Sequence, residues 1–301
     1  MSRSTNSATG QELRRPRRRV EPIYYAFLLP TLLLFTLAIT LPGLIGIFFS
    51  FTYSIGIGEW SFTGFTNYIA AFGDPAILQS YLFTFGFAVA TVIVVNVAAF
   101  LLAVGLTARI RFKTALRTIF VIPMVISGII IAYVFNFLFS NSIPALGSAT
   151  GIDWLSTSIL ANPDLAWVAI VIVTAWQATP GTLLIYIAGL LSVPGDVYEA
   201  ASIDGASKLQ QLVRVTLPLV AGYVVINVIL GFKGFLNAYD IIVGLTNGGP
   251  GTATRSVAMT IIAGFNGGDY AYQMANATIF FIVAILISIL QLSLTRGRSA
   301  L

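Results

Sequence analysis

Six runs of mostly apolar residues limit what this chain can fold into. They lie at about 25–51, 80–106, 115–139, 165–191, 213–236 and 273–294. An α-helix needs about 20 apolar residues to cross roughly 30 Å of hydrocarbon. Inside lipid every backbone N–H and C=O must find a partner within the protein, which leaves helices and closed barrels. Runs of this length, without period-two alternation, specify helices. The charged fraction is 9 %, against about 25 % in a soluble domain. The prediction is an all-α membrane protein with six transmembrane helices.

The first run is too long for the apolar core of a signal peptide, about 7–15 residues, and no small-residue cleavage site follows it. Residues 1–21 show no apolar periodicity and are expected to be a disordered basic tail. Six spans put both termini on one side. Lys and Arg collect on cytoplasmic segments. Fourteen of the sixteen fall in the N-terminal tail, the loop with Arg109, Arg111, Lys113 and Arg117, the stretch with Lys208 and Arg214, and the C-terminal tail. The loops at 52–79 and 140–164 hold acids and no base. Both termini and the 194–218 stretch are therefore expected in the cytoplasm. The net charge of +5 comes largely from that tail, a place suited to setting orientation or touching anionic lipid rather than nucleic acid.

Short helices are expected on the outer side. Phe65, Tyr68, Ile69 and Phe72 share one helical face. Val257 to Phe265 is an apolar piece too short to span, read as interfacial or re-entrant, and it follows a turn at Asn247-Gly248-Gly249-Pro250-Gly251.

The chain has no Cys and no His. Thiol chemistry is excluded, and the commonest general base and metal ligand is missing. No Gly-x-x-x-x-Gly-Lys-Ser/Thr phosphate loop occurs. Gly231-Phe232-Lys233-Gly234 sits in an apolar run and lacks the glycine-rich turn. The chain is not expected to be an enzyme, to hold a cofactor or metal, or to hydrolyse nucleotide alone.

One polar island carries acids and bases together, residues 194–218, between two apolar runs. Pro194-Gly195 ends the fourth span, and Asp196 with Glu199 has the spacing of a capping box. Ala200, Ala201 and Ala206 are small enough for a partner to approach closely. Gly205 weakens the helix by about 1 kcal/mol relative to Ala and permits a bend. Leu217-Pro218 opens the fifth span. The island reads either as a docking handle for a partner in water or as an ordinary loop in which Glu199 caps a helix.

Glu199-Ala200-Ala201, three residues, Gly205, nine residues, then Val215-x-Leu217-Pro218 resembles the Glu-Ala-Ala loop of permease subunits in binding-protein-dependent ABC importers, with Val215 at the usual isoleucine. Phe62-x-Gly64-x-x-Asn67-Tyr68, Asp74-Pro75, Arg117-x-x-Phe120-x-x-Pro123, Tyr186-x-Ala188-Gly189-Leu190 and Leu245-Thr246-x-Gly248-Gly249-Pro250 resemble the carbohydrate branch, which includes maltose, multiple-sugar and glycerol-3-phosphate permeases. The resemblance implies a transmembrane domain over 22–301 in a bacterial or archaeal cell membrane. It implies a coupling helix between spans four and five. The implied partners are a second homologous permease, two ATP-binding subunits that use ATP and magnesium, and an extracytoplasmic solute-binding protein. Glu199, Ala200, Ala201, Asp204, Gly205, Leu217 and Pro218 take the ATPase-coupling role by motif position.

Polar residues are costly in lipid and mark solute paths. Trp176 and Gln177 fall near mid-membrane, beside Pro180 as a kink site, and offer an apolar ring face with amide donors and an acceptor. Asn227, Asn237 and Asp240 are further candidates. The alternative is that Gln177 bonds a neighbouring helix and Trp176 packs. Asn96 reads as interhelical glue, and Lys233 as a side chain that snorkels to water. An ion-coupled secondary transporter is the rival class, but no internal repeat with paired helix breaks is visible. A membrane enzyme is disfavoured by the lack of His, Cys and a mid-membrane carboxylate pair.

Overall fold

A computed structural model describes residues 22–54, 58–108 and 111–296. The N-terminal tail, Arg109 and Arg298 lie outside them. The chain separates into two compact parts, with the boundary between Gly46 and Ile47. The first part holds most of α1 (Ile23–Phe49), a helix apolar on all its faces.

The second part begins with a small hairpin, β1 (Thr52–Tyr53) and β2 (Ser61–Phe62), antiparallel with Thr52 opposite Phe62. Asn67 Nδ2 donates to the carbonyls of Ser50 (2.9 Å) and Thr52 (2.8 Å), tying α2 (Thr66–Gly73) to the hairpin. Of α2, Ala71 is buried, while Phe65 before it and Ile69 and Phe72 within it are exposed. Three of the four residues of the expected stripe face outward; Tyr68 is half-buried, and its Oη shares a hydrogen bond of 2.6 Å with Ser50 Oγ.

The long helix α3 runs from Pro75 to Thr107. It starts five residues before the apolar run, because its start is set by capping. Asp74 Oδ1 accepts from Ala76 N at 2.8 Å, and Pro75 sits at the first position, where its missing N–H costs nothing. Its main neighbour is α6 (Ala166–Leu191). Ala88, Ala99 and Ala103 of α3 and Ala166 and Ala169 of α6 are fully buried. Small side chains let backbones approach where lipid supplies no hydrophobic drive for association. Tyr186 Oη donates to Asn96 Oδ1 at 2.6 Å across the pair, and Asn96 Nδ2 donates to Val92 O in its own helix. Asn96 is the interhelical tie that its position in the run suggested. Helix α6 continues through Pro180 without interruption.

The run expected as the third span, 115–139, holds two helices. These are α4 (Lys113–Val125) and α5 (Gly128–Thr150), separated by extended Ile126 and Ser127. Pro123 cannot donate to the preceding turn, and Ile126-Ser127-Gly128 is a weak helix former, so α4 stops there. Hydropathy is blind to that stop. The candidate span is α5, displaced toward the C-terminus.

The fifth run is also interrupted. Helix α8 (Lys208–Leu219) and helix α9 (Ala221–Leu236) meet at Val220 with a bend of 66°. Five helices are long and apolar enough to cross a membrane among the described residues, or six when α8 and α9 count as one broken span. The last is α12 (Tyr270–Arg296). Two shorter helices precede it, α10 (Asp240–Thr246) and α11 (Val257–Asn266).

Among the described residues three wide turns with i→i+5 hydrogen bonding occur, at Thr36–Thr40, Leu138–Ser142 and Leu212–Thr216. Pro42, Pro144 and Pro218 follow, each two residues after its turn. The ring of a proline collides with the carbonyl four residues before it. That carbonyl belongs to the middle residue of the wide turn in all three cases. Widening the helix moves it aside.

Helix α10, which lies between the fifth and sixth apolar runs, is deeply packed. Ile241, Ile242, Gly244 and Leu245 are buried. Asn136 Nδ2 donates to Leu245 O at 2.6 Å, and a β-carbon added at Gly244 would lie 2.5 Å from Ala132 Cβ. Glycine is required by that contact. The core joins Phe87, Ile131, Ile170, Val173, Ile242 and Leu245 from α3, α5, α6 and α10. Helix α11 is pinned at its start by Thr84, whose Oγ1 accepts from Val257 N at 3.0 Å.

Candidate coupling helix and solute path

The polar island folds as helix α7 (Gly195–Ile203), a turn, and then α8. Asp196 and Glu199 do not form a capping box. Pro194 is the residue before the helix, and no side chain caps it. The capping box is at the start of α8: Ser207 Oγ accepts from Gln210 N, and Gln210 Oε1 accepts from Ser207 N at 2.8 Å. The Ser-x-x-Gln spacing was readable in the sequence.

Gly205 does not bend a helix at its middle; it ends one. Its φ is +77°. Ala206 N donates to Ala201 O at 2.9 Å and Gly205 N to Ser202 O at 3.1 Å, which closes the last turn through a left-handed residue. Glycine takes that conformation without the steric cost of a β-carbon.

Helix α7 shows most of its surface. Asp196, Val197, Glu199, Ala200, Ser202 and Ile203 are exposed, Ile203 by 86 %. Glu199 makes no hydrogen bond or ion pair among the described residues. Asp204, Leu217 and Pro218 are exposed as well. The back of the helix is held by residues that the sequence reading overlooked. Gln211 is 4 % exposed; its Nε2 donates to Ser202 Oγ (2.9 Å) and Ala206 O (3.0 Å). Its Oε1 accepts from Lys208 Nζ at 3.2 Å. Tyr198 Oη and Thr216 Oγ1 share a hydrogen bond of 3.1 Å. The helix is therefore fastened to α8, and α8 joins α9 through the bend at Val220. Val220 is fully buried, and close by a β-carbon added at Gly189 would lie 2.7 Å from the Tyr223 ring.

The five solute-path candidates divide. Trp176 is 43 % exposed, with its ring 5.4 Å from that of Phe135. Gln177 Nε2 donates to Ile126 O at 3.1 Å. That carbonyl is freed where α4 stops, so the glutamine bonds a neighbouring element. Gly128 lies against both Gln177 and Ile241. The break between α4 and α5, the middle of α6 and the start of α10 thus meet. Asp240 is exposed in the first turn of α10. Asn227 is 2 % exposed and donates to Thr182 O at 3.4 Å, which ties α9 to α6. Asn237 is exposed and bonds Lys233 O of its own helix. No group of acids able to hold a metal occurs among the described residues.

The chain matches the family described as binding-protein-dependent transport system inner membrane component over residues 96–297. It belongs to that family. The match takes in α7, α8 and every solute-path candidate. A probable starch degradation products transport system permease protein of Thermoanaerobacterium thermosulfurigenes is 34 % identical over 91 % of this chain and 94 % of its own. A multiple sugar-binding transport system permease protein of Streptococcus mutans is 33 % identical over 90 % and 94 %. Among solved structures, a bacterial ABC transporter involved in import of the polysaccharide alginate superposes with a TM-score of 0.80 at 21 % identity, covering 91 % of this chain and 95 % of that one. The family member described here is thus a multi-pass membrane protein with the ABC permease fold.

Proposed function

We propose that this permease subunit passes a sugar or oligosaccharide across the cell membrane, powered by ATP-binding subunits that dock on α7. One observation carries the coupling part: α7 is an exposed helix fastened by Gln211 and Tyr198 to α8, which continues through a 66° bend into the apolar helix α9. A push on α7 is delivered to α9. The exposed Glu199, Ala200, Ile203 and Asp204 form the face offered to the partner, and Glu199 has no competing bond among the described residues. Leu217 and Pro218 lie where the force turns into the span.

The sugar part is supported by the relatives. Two are described as permeases for starch degradation products and multiple sugars, and a third, from Thermococcus litoralis, for trehalose and maltose. Trp176 would offer its exposed ring face to the C–H face of a sugar, with Gln177, Asn237 and Asp240 as polar neighbours of the path. Asn227 contributes by holding α9 against α6. The chain itself supplies no catalysis and holds no cofactor; ATP and magnesium belong to the partner subunits. The remaining partners are a second related permease and a solute-binding protein on the outer face. Both termini and α7 are cytoplasmic, on the distribution of Lys and Arg. ATP binding closes the partners, α7 moves with them, and the cavity turns outward to take solute. Hydrolysis resets it. The different contacts of α7 in the two states supply the energetic coupling.

Uptake of labelled sugar into vesicles tests this. It should need ATP and the ATP-binding subunits; uptake driven by an ion gradient with this chain alone would sink the proposal. Glu199→Lys should abolish sugar-stimulated ATP hydrolysis or release the ATPase while the permease still inserts. Wild-type transport in that variant would reduce α7 to a linker.

A further inference from the structure

The basic turn before α4 and the face of α4 beside it take no part in the coupling or solute path described above. A cleft of about 360 Å³ is lined by Arg117, Thr118, Val121, Ile122 and Val125. The last four are spaced along one side of a helix. The cleft therefore runs lengthwise on α4, apolar along most of its length, with one cation at its end.

Arg117 is incompletely satisfied. Its Nη2 donates to Leu106 O at 3.0 Å, in the last turn of α3. Its Nε is buried and has no partner. No carboxylate pairs with it among the described residues, and the sequence holds no acid from residue 75 to residue 152. Arg111 is exposed in the turn just ahead of α4, and Lys113 is exposed at the first position of the helix. A guanidinium has five N–H donors, and a buried donor without an acceptor is costly. Capping the end of α3 accounts for Nη2. Nε is closed to the outside and stays so. Unanswered are the outer Nη1 of the guanidinium, the exposed Arg111 and Lys113, and the cleft. An external anion joined to a hydrocarbon tail answers the cations and the cleft together.

We propose that this face of α4 binds one anionic phospholipid. The phosphate sits on Arg117 with Arg111 and Lys113 beside it, and an acyl chain lies along Thr118, Val121, Ile122 and Val125. A free phosphate would use the cations and gain nothing from the apolar wall. A neutral lipid would use the wall and leave the charge unanswered. Charge complementarity and the wall together select the anionic lipid. Val104, Thr107 and Ala108 at the end of α3 also border a concavity shared with Tyr198, Lys208 and Gln211. The lipid site therefore adjoins the same end of α3 as the coupling segment.

The test is titration of the delipidated, full-length protein in detergent with phosphatidylglycerol or phosphatidylcholine, with bound lipid counted by native mass spectrometry. The wild type should prefer phosphatidylglycerol. Arg117→Gln should weaken that preference about fivefold, the effect of one cation near an anionic surface, and Arg117→Lys should retain most of it. Val121→Trp fills the cleft, leaves Arg117 on Leu106, and should block binding. It decides the matter alone if Arg117→Gln fails to fold. Equal retention of both lipids by the wild type would overturn the proposal. So would wild-type retention in a folded Arg117→Gln or Val121→Trp protein. Displacement of phosphatidylglycerol by millimolar inorganic phosphate, indifferent to Val121→Trp, would identify a free-phosphate site instead.

Discussion

Replacing Gln211 tests whether α7 is fastened to α8 or merely rests near it. Gln211 is almost fully buried, and its amide donates to Ser202 Oγ and to Ala206 O. Each such bond contributes about 1 kcal/mol net. Gln211→Leu removes both donors, so docking of α7 should weaken by about 2 kcal/mol. At 1.36 kcal/mol per factor of ten, that is roughly 30-fold in the population of the undocked form. Hydrogen exchange followed by mass spectrometry on a peptide covering residues 195–206 reads that population. The amides of Asp204, Gly205 and Ala206 close the last turn of α7 and should exchange roughly 30-fold faster. Tyr198 and Thr216 still join the two helices, so the segment stays folded in the docked form. Gln211→Glu separates the bonds. It keeps an acceptor for Lys208 Nζ and loses both donors, so it should loosen α7 nearly as much. An increase below about threefold in Gln211→Leu would refute the fastening, and wild-type protection in Gln211→Glu would move it to the Lys208 contact.

Gly205→Val places a β-branched residue at φ +77°, at a cost of about 1–2 kcal/mol; exchange in 200–206 should rise while the spans keep wild-type protection. An unchanged rate would mean the turn adopts another conformation. Tyr186→Phe leaves Asn96 Oδ1 without its donor between α3 and α6. The loss should be about 0.6–1.7 kcal/mol, the range for hydrogen bonds between membrane helices, measured as the unfolding free energy in mixed micelles; no change would show that Asn96 finds another partner.

The presence of membrane helices was legible because lipid imposes one requirement, internal satisfaction of the backbone, and long apolar runs answer it. The closing end of α7 was legible in part. Gly205 was correctly singled out, but its left-handed conformation was read as a bend. The capping box was read at Asp196 instead of Ser207 because both places offer a suitable pair at the same spacing. Only the helix start in three dimensions separates them. Wide turns precede Pro42, Pro144 and Pro218, but Pro30 and Pro180 sit inside regular α-helix, so a proline in the sequence does not by itself place a wide turn.

The sequence by itself determined the solvent, the class of fold and the place of the polar island, because hydropathy, charge distribution and proline sterics act over a few turns of chain. Only the tertiary structure decided that α10 is helix and core, since Gly244 gains its reason from Ala132, more than one hundred residues away. It decided that Asn227 is a tie rather than an exposed lining group, because a polar side chain's role depends on which helix it faces. It also decided that Gln211 fastens the island to the span. A glutamine in a polar stretch reads as solvated until two acceptors, on Ser202 and Ala206, are brought within reach.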